Sequence, residues 1–144
     1  MNSTHRPSAM DTRLTKDTRL TVLVVDDELA IRNEIADYLN HKGIGTLTAG
    51  SASEALDMML RDRDISVVLS DIRMPGLDGL DLLKRAKQEL AGDMEVILLT
   101  GHGGMEEAIQ ALRLGAYDFL QKPINLKHLL HVIERAVERV ELLY

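Results

Sequence analysis

The chain has 144 residues, 45% of them hydrophobic and 28% charged, with a formal net charge of −6. This size and balance fit one soluble globular domain able to bury a core, and the negative charge argues against a nucleic-acid surface. The absence of cysteine excludes disulfides, thiolate metal sites and a cysteine nucleophile. No apolar run is long enough to cross a bilayer and no secretory core opens the chain, so a cytoplasmic protein without membrane contact is expected.

Residues 1–19 are polar and aperiodic, and read as a disordered leader. Order begins with Leu20-Thr21-Val22-Leu23-Val24-Val25, a near-continuous apolar run of the kind a strand shows when both its faces are covered. It ends in Asp26-Asp27-Glu28. Ile31, Ile35, Tyr38 and Leu39 follow at helical spacing until Gly43. Gly45 to Ala49 reads as an edge strand. Ser51 or Ser53 then caps a helix with apolar positions Ala55, Leu56, Met59 and Leu60. A strand from Val67 ends at Asp71 and runs into a Pro75-Gly76 turn, after which Asp78-Gly79 starts a third helix carrying Leu80, Leu82, Leu83 and Ala86. Ala91-Gly92-Asp93 is a break.

Glu95 to Thr100 is a fourth strand, and Gly101-His102-Gly103-Gly104 a flexible loop. Met105 to Leu114 is helical, with Ala108, Ile109, Ala111 and Leu112 as its apolar set and Gly115 as its stop. Tyr117 to Gln121 forms a short fifth strand, broken by Lys122-Pro123. The last helix starts near Leu126. Five βα units in strict alternation predict a doubly wound parallel sheet with helices on both faces, in the order 2-1-3-4-5.

In such a sheet the carboxyl ends of the strands share one crevice. Asp26 and Asp27 end the first strand, Asp71 the third, Thr100 the fourth, and Lys122 follows the fifth. Each has an ordinary reading: Asp71 as a turn cap, Asp26-Asp27 as helix caps, Thr100 as a plain strand end, Lys122 as a solvated charge. Together they offer different chemistry. Three neighbouring carboxylates repel unless a cation sits among them, and an oxygen-only donor set suits Mg²⁺. With an ammonium and a hydroxyl added, the set suits phosphoryl transfer with a carboxylate nucleophile.

Four stretches carry a resemblance: Val25-Asp26-Asp27-Glu28, Asp71-Ile72-Arg73-Met74-Pro75-Gly76-Leu77-Asp78-Gly79, Leu99-Thr100-Gly101-His102 and Gly115-Ala116-Tyr117-Asp118-Phe119-Leu120-Gln121-Lys122-Pro123. Over roughly residues 20 to 140 the chain resembles the response-regulator receiver domains of two-component signalling. The resemblance implies a flavodoxin-like (βα)5 fold over 20–137, with 138–144 beginning a helix towards an output domain. It implies Asp71 as phosphoacceptor, Asp27 as direct Mg²⁺ ligand, Asp26 as its acidic partner and the Arg73 backbone carbonyl as a further ligand. It implies Thr100 as switch hydroxyl, Phe119 as aromatic switch, Lys122 as the phosphoryl-pairing lysine, and a cis Lys122-Pro123 bond.

The implied mechanism is transfer from a phosphohistidine of a sensor kinase, or from a phosphotransfer protein, to Asp71 with Mg²⁺. The face made by helix four, strand five and helix five then changes shape. The domain is not expected to be an enzyme beyond its own phosphorylation and dephosphorylation. The alternatives are an interaction-only receiver and a Mg²⁺-dependent aspartyl-phosphate phosphatase. Against the second, Arg73 stands where the haloacid-dehalogenase phosphatases place their general acid. Arg73 and His102 are candidates for tuning water access to the acyl phosphate. His128 and His131, spaced i, i+3, read as surface, and the scattered methionines as packing or loop residues. Leu126, Leu130, Ile133, Val137 and Val140 step as a heptad seam. Its first half is expected on the sheet. Its end is expected to project into an output helix or a homodimer, which helix four, strand five and helix five could also support.

Overall fold

The computed structural model describes residues 21–62, 64–90, 94–101 and 104–142. The readings of the leader, the Ala91-Gly92-Asp93 break, His102 and the last two residues lie outside the described residues. Five strands and five helices alternate: β1 (Thr21–Val25), α1 (Leu29–His41), β2 (Gly45–Ala49), α2 (Ala52–Arg61), β3 (Ile65–Asp71), α3 (Gly79–Glu89), β4 (Glu95–Thr100), α4 (Met105–Arg113), β5 (Asp118–Gln121) and α5 (Leu126–Leu142). The strands form one parallel sheet in the order β2-β1-β3-β4-β5, as the alternation predicted.

Continuous apolar strands are explained by what covers them. On one face Leu23, Val25, Val68, Val96 and Leu98 pack with Ala55, Leu56 and Met59 of α2 and Leu82, Leu83 and Ala86 of α3. On the other, Val22, Val24, Val67, Leu69, Ile97 and Leu99 pack with Ile35 and Leu39 of α1 and Leu129, Ile133 and Val137 of α5. Alternate residues of each strand thus feed opposite cores, and each fully buried side chain such as Leu69 contributes roughly 2 kcal/mol.

Several local expectations change. β3 starts at Ile65, two residues before the Val67 run, because Ile65 pairs with Thr21 across an irregularity in the β1 ladder. β5 starts at Asp118, one residue late; the Tyr117 amide bonds to the Val96 carbonyl at 2.7 Å outside the strand. Ser51, not Ser53, caps α2, accepting from the Glu54 amide at 3.1 Å. Leu60, read as apolar face, is 43% exposed.

The largest revision is in α4. Ala108 and Ala111 are buried, but Ile109 (44% exposed) and Leu112 (43%) face outwards, together with Met105 (51%). The apolar residues form one stripe at helical spacing, but the edge carrying Ala108 and Ala111 is the buried one, which leaves the edge carrying Met105, Ile109 and Leu112 to solvent. In α5, Val137 and Val140 are buried, so the heptad seam lies on the core through that turn. Arg139 there pairs with the buried Glu95 at 3.1 Å, tying α5 to the start of β4.

Candidate functional site

Register brings the acidic groups together. Val25 pairs with Ser70, so the residues that follow, Asp26 and Asp71, emerge side by side from the two central strands. Asp71 pairs with Leu99, and Thr100 with Gln121, which places Lys122 next to the same rim. Backbone bonds continue each ladder past its end: the Lys122 amide donates to the Thr100 carbonyl at 2.8 Å, and the Ile72 amide to Leu99 at 2.9 Å. The Lys122–Pro123 peptide is cis.

Oxygens of Asp26, Asp27 and Asp71 lie within 4.8 Å of one another. Asp26 is fully buried, Asp71 nearly so, and Asp27 is exposed. The Lys122 Nζ stands 3.2 Å from Asp26 Oδ2 and 3.3 Å from Asp71 Oδ2, with Glu28 Oε1 at 4.0 Å. Burial pushes the Asp71 carboxyl above its usual range; Lys122 opposes this, and Asp26 and Asp27 add to it. Burial works against the Lys122 ammonium, but Asp71 and Asp26 together outweigh it and raise its pKa above 10.5. The carboxylates are therefore incompletely neutralised. A hard cation fits this set: its donors are oxygens, crowded, partly buried and short of positive charge.

The loop after β3 is fixed by close packing. Gly79 donates its amide to the Ile72 carbonyl at 2.7 Å, and a Cβ there would run into the Asp71 carbonyl. A side chain at 79 would displace the strand end that carries Asp71. Asp78 caps α3 in a reciprocal box with Asp81, at 2.9 and 3.1 Å, and so serves the helix as expected and lies outside the acidic cluster.

The remaining candidates sit as follows. Thr100 is buried at 3% exposure, and its hydroxyl donates to the Gly101 carbonyl at 3.2 Å. Phe119 is half-buried against the α2/α3 core. Arg73 turns outwards, 72% exposed, and bonds Glu107 of α4 through Nε (3.2 Å) and Nη2 (3.0 Å). His128 and His131 are both exposed.

Three contributors carried no role in the sequence reading. Arg32 donates to the Asp26 carbonyl at 2.8 Å, and the Glu28 amide donates to Asp26 Oδ1 at 2.9 Å; both hold the first acid in place. Their signal was proximity, since Glu28 extends the acidic run and Arg32 is one helical turn further on. Glu107 gave no such signal, because its partner lies 34 residues away.

Among the described residues, no helix is long and apolar enough to cross a membrane. Residues 22–134 match the family model for the response regulator receiver domain. The chain is 41% identical over 122 residues to the C4-dicarboxylate transport transcriptional regulatory protein DctD of Pseudomonas aeruginosa, covering 85% of this chain and 26% of that relative. It is 38% identical over 120 residues to the transcriptional regulatory protein FixJ of Bradyrhizobium diazoefficiens, covering 83% and 58%. The chain therefore spans only part of each of these relatives. Among solved structures, a response regulator receiver domain protein of Clostridium thermocellum superposes with a TM-score of 0.84 at 38% identity, covering 87% of this chain and 99% of the other. NtrX of Brucella abortus, crystallised with ADP, gives 0.78 at 42% identity over 85% of this chain and 28% of its own.

Proposed function

This chain belongs to the response regulator receiver domain family, and we propose that Asp71 is its phosphoryl acceptor. Receiver domains of response regulators interact with histidine kinases and output domains, and for this one we take a sensor histidine kinase or phosphotransfer protein as the donor. The observation that supports the reading is the convergence of Asp26, Asp27 and Asp71 within 4.8 Å with Lys122 between two of them.

An Asp71 carboxylate oxygen attacks the phosphorus of the donor phosphohistidine. The O–P bond forms as the P–N bond breaks, and the imidazole leaves with the electron pair. Lys122, already 3.3 Å from Asp71, is placed to meet a phosphoryl oxygen. Asp26, Asp27, the Asp71 carboxylate and the Arg73 backbone carbonyl are the residues that would hold Mg²⁺. When bound, the ion supplies charge neutralisation across acceptor and phosphoryl oxygens. Water later cleaves the acyl phosphate, and no second acid stands two residues after Asp71 to speed it. On this reading the domain catalyses nothing beyond its own phosphorylation and dephosphorylation.

The signal leaves the site through Thr100, whose hydroxyl turns from Gly101 to the phosphoryl group, and through Phe119, which turns into the space vacated. Both flank the face built by α4, β5 and α5, where Met105, Ile109 and Leu112 stand exposed. Change there controls an output domain, a partner or a second copy of the chain.

Incubation with Mg²⁺ and acetyl phosphate is expected to add one phosphoryl group by mass, and Asp71→Asn to abolish the gain. No gain in the parent chain refutes the reading, and rapid multiple turnover of the donor would favour the phosphatase alternative.

A further inference from the structure

Resting on the reading of Thr100 as the switch hydroxyl, the geometry points to Gly104 as the positioning residue that seats this hydroxyl in its resting orientation. The single Thr100 proton is spent on the Gly101 carbonyl, at 3.2 Å, and Thr100 itself is only 3% exposed. Gly104 immediately precedes α4 with φ −87° and ψ 13°, a backbone that other residues also adopt. Glycine is required there for space. A Cβ at 104 would fall onto the Thr100 Oγ1 and lie 3.0 Å from its Cβ, whereas one at Gly101 meets nothing within 4 Å. The volume of the missing methyl group is occupied by the resting hydroxyl.

Threonine is β-branched and has few staggered wells, so filling the seat forces χ1 out of its resting well and moves Thr100 away from α4. Any conformer with the hydroxyl turned away from Gly104 then gains population without a phosphoryl group present. Phe119, paired beside Leu98 on the neighbouring strand, follows. Glycine at 104 thereby keeps the unphosphorylated domain off.

The chain contains one phenylalanine, so ring-labelled protein gives a single Phe119 signal. Adding Mg²⁺ and beryllium fluoride, an acyl-phosphate mimic, is expected to shift this signal in the parent chain; no shift overturns the receiver switch and this proposal with it. Given that shift, Gly104→Ala alone is expected to move the fluoride-free signal towards the mimic-bound position and to tighten fluoride binding. In a Thr100→Ala background the same substitution is expected to move the signal much less, because the hydroxyl is gone and only the 3.0 Å contact with the Cβ of residue 100 remains. A Gly104→Ala signal at the parental position, or a shift undiminished without the Thr100 hydroxyl, overturns the role of Gly104 and leaves the receiver reading standing. Should Gly104→Ala fail to fold, the parent chain decides. Proton contacts between Thr100 and the Gly104 Cα are expected in the resting form and lost with beryllium fluoride; retained contacts overturn the proposal.

Discussion

Buried carboxylates lie at opposite ends of one sheet. At the amino end of β4, Glu95 meets Arg139, and the guanidinium also stands 5.9 Å from the Tyr117 ring. That pair is one charge against one, and Arg139 is 63% exposed, so water shares the work. At the carboxyl end, Asp26, Asp27 and Asp71 crowd together, and Lys122 bridges two of them with only 19% of its side chain exposed. The nearby Arg32 spends a hydrogen bond on the Asp26 carbonyl. The first set resembles a closed account of charge and the second an open one. Burial alone does not single out a candidate site; burial with charge left over does.

The largest effect that would sharpen this contrast is expected from Lys122→Met. Without Mg²⁺ it should lose about 3 kcal/mol by urea unfolding, because it leaves buried carboxylates unpaired. Added Mg²⁺ should recover more of that loss than it adds to the parent chain. Arg139→Met should cost about 1–2 kcal/mol, since water reaches the exposed side of Glu95, and Mg²⁺ should leave it unchanged. Equal Mg²⁺ responses in the two variants would erase the distinction.

A smaller gain is expected from Asp71→Asn, about 1 kcal/mol or ~4 °C in melting temperature for the metal-free protein at neutral pH. The sign follows from linkage. The folded Asp71 pKa lies above its ordinary 3.8, so the native state binds the proton more tightly. Its contribution to stability is fully present below 3.8 and lost as pH rises through the raised value. Metal-free melting curves across that window should show the decline in the parent chain and not in Asp71→Asn. The smallest effect belongs to Glu107→Gln. Its bond to the exposed Arg73 should contribute under ~0.5 kcal/mol, measured as a shift in the urea midpoint.

The strands were legible because a parallel sheet buried on both faces leaves an unbroken apolar run, and Val22 to Val25 or Val96 to Leu99 cannot be mistaken for a solvated segment. The acidic cluster followed from topology, which sends every strand end to one rim. What depends on helix phase was less legible. Ile109 and Leu112 looked like core until two alanines took that role. Glu95 read only as the first residue of the fourth strand, because nothing near it in sequence announced Arg139. The Gly101 to Gly104 run read as a flexible loop, whereas Gly104 is held against a single hydroxyl.

The bond from Lys122 to Asp26 joins residues 96 apart in sequence. It runs from the edge strand β5 to the central strand β1, and β5 is only four residues long. No early fragment of the nascent chain and no isolated hairpin can hold the site. Assembly of the acidic cluster with its ammonium therefore reports completion of the sheet: the last strand of the sheet is also the one that Lys122 directly follows. A chain with β5 frayed would lose the bond from Lys122 to Asp26 before it was visibly unfolded, because short edge strands fray first.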